Sequence, residues 1–243
     1  MLVPGFTGSK EDFLTLLPEL ADRGWAAVAF DQFGQFESPA SDAESDYTLD
    51  LLAADVLDVC AHFADPVHIV GHSFGAMVVA EAVLSSPGRF ASVTILSCGL
   101  GAPGATQRYA LEQLLAVPAG TPSAMVWQLR RELEGPLDPN LAPEIAAFVE
   151  TKFVASPLAA MHGKAHALLE TPDKSRELAA VGGRFLVATG VDDDYWPQEQ
   201  QSALASTLGT SLVLLPGCGH SGAVDDPVLV ATVFDSFWTS SDS

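Results

Sequence analysis

The sequence has little positive charge. Its 11 Lys and Arg residues stand against 31 Asp and Glu, which leaves a formal net charge of −20 over 243 residues. A surface this acidic repels phosphate backbones and anionic lipid headgroups, so we expect neither nucleic acid nor a membrane surface as a partner. The acids are spread along the chain rather than gathered in a tail, and we interpret the charge mainly as an aid to solubility.

Cysteine is scarce, and long apolar runs are missing. The three cysteines, Cys60, Cys98 and Cys218, are widely spaced and form no C-x-x-C pair, which argues against a disulfide framework and favours reduced thiols. No basic leader precedes an apolar stretch, and no apolar run approaches the length of a membrane span. These absences predict a cytoplasmic protein and say nothing about its oligomeric state.

Short apolar segments alternate with amphipathic ones along most of the chain. A chain of 243 residues suits one large domain. The alternation predicts an α/β protein with a mostly parallel, doubly wound sheet that is covered by helices on both faces. The predicted strands cover residues 1–3, 25–30, 67–70, 91–97, 184–188 and 211–215.

The rhythm changes between residues 101 and 180, where prolines divide the chain into short helical segments. One predicted helix carries Val126, Leu129 and Leu133 on its apolar face, and another begins near Pro143. We interpret residues 101–180 as a helical lid (cap) insertion. Residues 1–100 and 181–243 would then form the sheet domain.

The segment around Ser73 is the strongest functional signal. An apolar strand runs directly into Gly71-His72-Ser73-Phe74-Gly75, and a helical pattern follows at once. A strand that turns straight into a helix holds its middle residue in a strained, exposed turn, and small neighbours make room for that turn. The pattern predicts a nucleophile elbow with Ser73 as the nucleophile.

A serine nucleophile needs a base, and the base needs a carboxylate. His220 follows the strand at 211–215, so it would lie at the carboxyl edge of the sheet, where the elbow also lies. Three acids, Asp192, Asp193 and Asp194, follow the strand at 184–188 at the same edge. The order Ser, then Asp, then His is the order of an α/β-hydrolase triad.

Five ordered motifs resemble those of the α/β-hydrolase fold superfamily, in its serine-hydrolase branch with a lid. They are Pro4-Gly5-Phe6, Asp31 through Gly34 to Ser38, the elbow, Gly190 through Asp193 to Pro197, and Gly217 through His220 to Pro227. The motifs cover the sheet domain and leave the lid unmatched. Pro4 stands where the family usually has histidine, and Phe36 stands where glycine is common.

The resemblance implies a fold that lacks the family's first strands, and it singles out Asp193 as the acid. It also implies an oxyanion hole made by the backbone N–H groups of Phe6 and Phe74. The expected function is hydrolysis of an ester-like or related acyl bond in a small, largely apolar substrate, with no cofactor and no metal. The same triad also suits carbon–carbon bond hydrolysis, lactone hydrolysis, perhydrolysis or lyase chemistry. From another class, a ligand-binding or signalling protein on the hydrolase fold stays open.

Several other residues are candidates for binding roles. Trp127, Trp196 and His162 are expected to line the substrate pocket, although ordinary packing explains them as well. His162 and His166 lie four residues apart without an acid or cysteine at ligand spacing, so a metal site is not expected. Gly99-x-Gly101-x-x-Gly104 resembles a dinucleotide loop, but Pro103 in its turn and the missing acid after the next strand argue against one. Arg130 and Arg131 could meet an anionic substrate, but exposed helix charges are usually inert.

Overall fold

The computed structural model describes residues 1–63, 66–137 and 142–240. Five parallel strands form one sheet in the order β1-β2-β3-β4-β5. The strands are β1 Leu2–Val3, β2 Val67–His72, β3 Phe90–Leu96, β4 Phe185–Gly190 and β5 Leu212–Leu215. Because all strands run the same way, the loops that follow β2, β4 and β5 meet at one edge of the sheet.

Helices cover both faces of the sheet, as the alternation predicts. Within the described ranges the α-helices are α1 Leu16–Asp22, α2 Leu49–Cys60, α3 Phe74–Ser85, α4 Ala105–Leu115, α5 Ser123–Glu134, α6 Pro143–Ala155, α7 Leu158–Glu170, α8 Ser175–Val181, α9 Gln198–Thr207, α10 Gly222–Asp225 and α11 Pro227–Thr239. Short 3₁₀ turns cover Lys10–Phe13 and Glu44–Tyr47. None of these helices is long and apolar enough to cross a bilayer.

Successive strand residues enter two different cores, since side chains alternate across a strand. Ile69 of β2 belongs to the core under α2 and α3, whereas Val70 belongs to the core under α1 and α11. In β4 the order is reversed, since Leu186 belongs to the core under α1 and α11 and Val187 belongs to the core under α2 and α3. The prediction of a doubly wound α/β sheet is therefore confirmed.

The prediction of a strand at residues 25–30 is wrong, because this segment does not form a continuous ladder with the sheet. This segment makes one isolated bridge, between Ala29 and Leu2, together with a hydrogen bond from the Leu2 N–H to the Val28 carbonyl at 2.8 Å. Its neighbour β1 is only two residues long and ends before Pro4, which has no N–H to donate. A partner this short cannot support a longer ladder.

Five helices, α4 to α8, follow β3 and precede β4, and we call them the helical segment. The described residues of this segment contain no strand. Its side chains Val126, Trp127, Phe153, Leu158 and Met161 form a small core of their own. Phe6, from the loop after β1, packs against both this small core and the main one. The division of the chain into a core and a lid stays a prediction.

The predicted apolar face of α5 is wrong in two of its three members. Val126 is buried, but Leu129 is 40% exposed and Leu133 is 68% exposed. The inward side of the helix instead carries Trp127, with Arg131 against its ring. Periodicity could not distinguish these two faces, because the arginine side chains have long apolar stems that pack on aromatic rings.

Lys164 on α7 is an unusual buried cation. It is 1% exposed, and its Nζ has no hydrogen-bond partner among the described residues. The Tyr47 ring lies 5.8 Å from the ammonium. Burial lowers the pKa of Lys164 to about 7, against the weaker opposing effects of Asp31 and Asp55.

Replacing Lys164 by methionine is expected to stabilise the fold at pH 7 by about 2 kcal/mol, because burying an unpaired ammonium is costly. The unfolded chain binds more protons than the folded one between pH 7 and the ordinary lysine pKa of 10.5. Wild-type stability should therefore rise with pH across that window, and the advantage of Lys164→Met should shrink. Urea unfolding at pH 7 and pH 9.5 measures both. A variant less stable than wild type at pH 7 would contradict this account.

Candidate active site

Ser73 lies alone between β2 and α3 in a strained conformation, with φ 53° and ψ −124°. Such backbone costs of the order of 1–3 kcal/mol and is found where function requires it. A Cβ on Gly71 would lie 2.4 Å from the Ala76 Cα, and one on Gly75 would lie 2.4 Å from the Val3 carbonyl oxygen. Glycine is thus required at positions 71 and 75, because other backbone atoms lie too close to leave room for a side chain.

The structure brings the three predicted residues, Ser73, His220 and Asp193, into one hydrogen-bonded chain. His220 Nε2 lies 3.0 Å from Ser73 Oγ, and His220 Nδ1 lies 2.9 Å from Asp193 Oδ1. Asp193 follows β4 and His220 follows β5, so the parallel sheet delivers all three side chains to the same edge. The arrangement can move a proton from the serine hydroxyl to the imidazole.

Among the three neighbouring acids, only Asp193 is built into this chain. Its Oδ2 accepts a hydrogen bond from the Thr189 hydroxyl at 2.8 Å, and its Oδ1 accepts one from the Tyr195 N–H at 3.0 Å. Burial alone would raise the pKa of Asp193, but hydrogen bonds, chiefly from His220, outweigh it and hold the pKa below the usual value. Asp193 is therefore ionised at neutral pH, while Asp192 and Asp194 are exposed to solvent.

His72, the residue before the serine, supports the loop that carries His220. Its Nε2–H donates to the His220 carbonyl oxygen at 2.8 Å, and the two rings lie 5.0 Å apart. Burial, and then the neighbouring His220, lower the pKa of His72 to about 4. His72 is thus neutral at pH 7. The elbow motif does not predict this role, because it does not show what the His72 side chain faces.

Tyr195 stacks face to face on His220, with ring centroids 3.7 Å apart and planes 10° apart. Its carbonyl accepts a hydrogen bond from the Gly104 N–H at 2.9 Å, which ties it to the start of the helical segment. The Tyr195 backbone therefore contacts the acid, and its ring contacts the histidine. Sequence reasoning missed this residue, although its place two positions after Asp193 was a usable signal.

Replacing Tyr195 by leucine is expected to lower kcat about tenfold, because the imidazolium that forms on His220 loses the ring that stacks on it. The face of an aromatic ring stabilises a cation, and leucine keeps the shielding but removes the π electrons. Tyr195→Phe keeps the ring and should stay close to wild type. Steady-state kcat of all three proteins at pH 7 measures the effect. Equal loss in both variants would show that the stack has no electrostatic role.

Two backbone N–H groups near Ser73 in the chain or in the loop after β1 have no protein acceptor in the described part of the chain. They belong to Phe74, the first residue of α3, and to Phe6. The Phe6 loop is held by Gln32 Nε2, which donates to the Pro4 carbonyl at 2.7 Å, and by Gln35 Nε2, which donates to the Gly5 carbonyl at 2.6 Å. These two glutamines were not predicted from sequence.

The three predicted pocket residues occupy different environments. Trp127 is 6% exposed and lies in the small core against Phe153, with ring centroids 5.2 Å apart. Trp196 is buried, donates from Nε1 to the Gly101 carbonyl at 3.2 Å and lies 6.1 Å from the His220 ring. His162 contacts Glu44 Oε1 through Nδ1 at 2.9 Å and the Leu114 carbonyl through Nε2 at 3.0 Å. Because both nitrogens of His162 have protein partners, it is better placed to join α7 to α4 than to bind substrate.

A surface groove of about 470 Å³ lies elsewhere, between α7 and the start of α2. It is lined by acids, including Glu44, Asp50 and Glu170, and by none of the residues around Ser73. Within the described ranges no group of three side chains is arranged to hold a metal ion.

The fold and the site together define a parallel α/β protein with a serine, a histidine and an aspartate linked at the carboxyl edge of its sheet. A model of the alpha/beta hydrolase family matches residues 1–233. The chain belongs to this family and is a hydrolase.

Similar proteins agree with this assignment. A protein of Variovorax paradoxus (strain S110), named "Putative carbamate hydrolase RutD", is 28% identical over 229 residues, which cover 93% of this chain and 86% of that protein. The structure of a thermophilic esterase from Thermogutta terrifontis matches with a TM-score of 0.78 at 20% identity, over 97% of this chain and 87% of the other. An esterase from Exiguobacterium antarcticum matches with a TM-score of 0.81 at 16% identity, over 98% and 91% of the two chains. At these identities the two structures show the shared fold alone.

Proposed function

We propose that this hydrolase cleaves an ester-like acyl bond through a serine-bound acyl intermediate. The observation that carries the proposal is the hydrogen-bonded chain from Ser73 through His220 to Asp193. The N–H groups of Phe6 and Phe74, for which the described residues offer no acceptor, support it. Ser73 attacks the carbonyl carbon while His220 takes its proton. Asp193 holds the imidazole with Nδ1 protonated and stabilises the imidazolium that forms.

Two further steps complete the reaction. The N–H groups of Phe6 and Phe74 bind the oxyanion, a contribution for which loss of one donor costs about 3 kcal/mol. His220 gives its proton to the leaving group, and the acyl group stays on Ser73. Water then attacks the acyl-enzyme with His220 as base, which releases the acid and restores the serine hydroxyl.

The helical segment would act as a lid over this site. Its small core packs against Phe6, and the Phe6 and Phe74 rings lie edge to face with centroids 6.4 Å apart. Both rings are apolar and adjoin the proposed oxyanion donors. These contacts support a small, largely apolar substrate, with Trp127 in the lid core and Trp196 beside His220 as candidate pocket walls.

Carbamate hydrolysis is the second candidate. It is supported by the similarity over most of the chain to the V. paradoxus protein. A carbamate carbonyl is attacked by the same serine and held by the same donors, so the site geometry suits either bond. The carbon–carbon, lactone, perhydrolase and lyase reactions use the same triad and have no specific observation in their favour.

The test combines turnover with covalent labelling. Wild-type protein is assayed on 4-nitrophenyl esters from acetate to octanoate and on 4-nitrophenyl N-methylcarbamate, and is separately treated with a fluorophosphonate. We expect a burst of 4-nitrophenol with the esters and a single mass addition on the peptide that contains Ser73. Neither turnover nor labelling would contradict the acyl-enzyme mechanism. A burst of 4-nitrophenol from the carbamate followed by slow turnover, together with continuous turnover of the esters, would favour the ester reaction.

A further inference from the structure

His220 lies on a glycine-rich loop. The loop leaves β5 after Leu215 and passes through Gly217 and Gly219 before it reaches the histidine. Glycine adopts many backbone conformations, and Gly217 has a positive φ of 75°. A general base must stay within hydrogen-bond reach of its nucleophile. The position of His220 therefore depends on what holds its loop.

The backbone of His220 is anchored by one side chain. Its carbonyl accepts a hydrogen bond from His72 Nε2 at 2.8 Å, and within the described ranges its backbone makes no other hydrogen bond. The imidazole is held separately, by Asp193 at Nδ1 and by Ser73 at Nε2. The His72 contact thus fixes the part of His220 that its two side-chain partners do not reach.

The His72 ring also lies against the loop that carries Phe6. A Cβ added to Gly5 would lie 3.2 Å from His72 Nδ1 and 3.2 Å from Ser73 Cβ. The Gly5 backbone therefore packs directly on the ring and on the nucleophile. One side chain contacts the loop of the base through Nε2 and the proposed oxyanion loop on the side of Nδ1.

The ring of His72 is enclosed and uncharged. It is 8% exposed, and burial, followed by the neighbouring His220, lowers its pKa to about 4. In the neutral ring, Nε2 carries the proton that is donated to the His220 carbonyl. No positive charge on His72 then opposes the imidazolium that forms on His220. These are the properties of a support rather than of a second base.

We propose that His72 is a positioning residue, which holds the loop of His220 and the loop of Phe6 in place around Ser73. The inference rests on the proposed acyl hydrolysis and assigns no proton transfer to His72 itself. Displacing a catalytic group by about 1 Å can cost about 100-fold in rate. Loss of the hydrogen bond to the His220 carbonyl should therefore lower kcat. KM should change little, because a buried ring offers almost no surface to a substrate.

The test compares two substitutions of similar length at His72. His72→Gln keeps an N–H donor that can reach the His220 carbonyl, whereas His72→Met fills similar space without a donor. Both are assayed on 4-nitrophenyl butyrate, and kcat is expressed per Ser73 labelled to completion by a fluorophosphonate, which corrects for misfolded protein. We expect kcat to fall about 30-fold in His72→Met and to stay within about fourfold of wild type in His72→Gln, with KM within about twofold in both.

Two further variants complete the experiment. His62→Met removes an exposed histidine just after the end of α2 and should keep the wild-type kcat. If His72→Met does not fold, His72→Asn takes its place, because the shorter amide cannot reach the His220 carbonyl and the same fall in kcat is expected. Melting temperatures check that each variant folds.

The outcomes distinguish this inference from the proposed function. An equal loss of kcat in His72→Met and His72→Gln, or a wild-type kcat in His72→Met, would show that the N–H donor does not position the base. The serine mechanism would then stand, since the wild type is active and labelled at Ser73. If the wild type neither hydrolyses the ester nor is labelled at Ser73, both proposals are overturned.

Discussion

The variant Ser73→Ala is expected to lose hydrolysis of 4-nitrophenyl esters by about 10⁶-fold in kcat, to the rate that binding and the oxyanion donors alone supply. The reason is that no other side chain is hydrogen-bonded to His220 Nε2 in the described structure. The loss should appear as the disappearance of the 4-nitrophenol burst together with turnover. Fluorophosphonate labelling should vanish in the same protein.

Ser221→Ala is a matched control for this experiment. Ser221 follows His220 directly and is exposed, and we expect its replacement to leave turnover near the wild-type value. The melting temperature of Ser73→Ala should stay close to wild type, because alanine keeps the Cβ and the same backbone preference. Residual activity within tenfold of wild type would show that another nucleophile does the chemistry.

Replacing Asp193 by asparagine is expected to lower kcat by about 10⁴-fold while KM changes little. The carboxylate accepts hydrogen bonds from His220, Thr189 and Tyr195, and all three hold it as an anion. An amide of the same shape cannot accept from all of them or stabilise the imidazolium. The histidine is then held in the wrong tautomer or without its compensating charge.

The exposed next residue, Asp194, provides the control. Asp194→Asn removes the same charge, and within the described residues the Asp194 side chain makes no hydrogen bond to Ser73, Asp193 or His220. Its kcat should stay within about twofold of wild type, consistent with the small effect of exposed charges. Steady-state kinetics of both variants at pH 7 to 9 measures the difference. A loss of similar size in the two variants would contradict the assignment of Asp193 as the acid.

Much of the candidate site could be predicted because its signals are local. A nucleophile elbow at Ser73 requires a strand, a helix and small neighbouring residues, and all of these lie within a few residues of it in the sequence. His220 and Asp193 each follow a strand, and parallel strands bring their carboxyl ends to one edge whatever their separation in sequence. The alternation of apolar and amphipathic segments is also a local signal, and it was enough to predict a sheet covered by helices on both faces.

The supporting contacts could not be predicted in this way. The stack of Tyr195 on His220 and the hydrogen bond from His72 to the His220 carbonyl join residues 25 and 148 positions apart. Each depends on how two loops from different strands approach each other. A motif records which residues are present in a loop, but the side chain it will face belongs to another part of the chain.

The sequence by itself determined the doubly wound sheet, the family, and the serine, histidine and aspartate that we propose as the triad. Hydrophobic alternation and turn chemistry are local properties, and they act before distant segments meet. Only the tertiary structure decided that residues 25–30 make a single bridge, because β1 is too short to pair further. It also decided that Arg130 and Arg131 lie against the rings of Phe153 and Trp127, because the packing of α5 on α6 brings these side chains together.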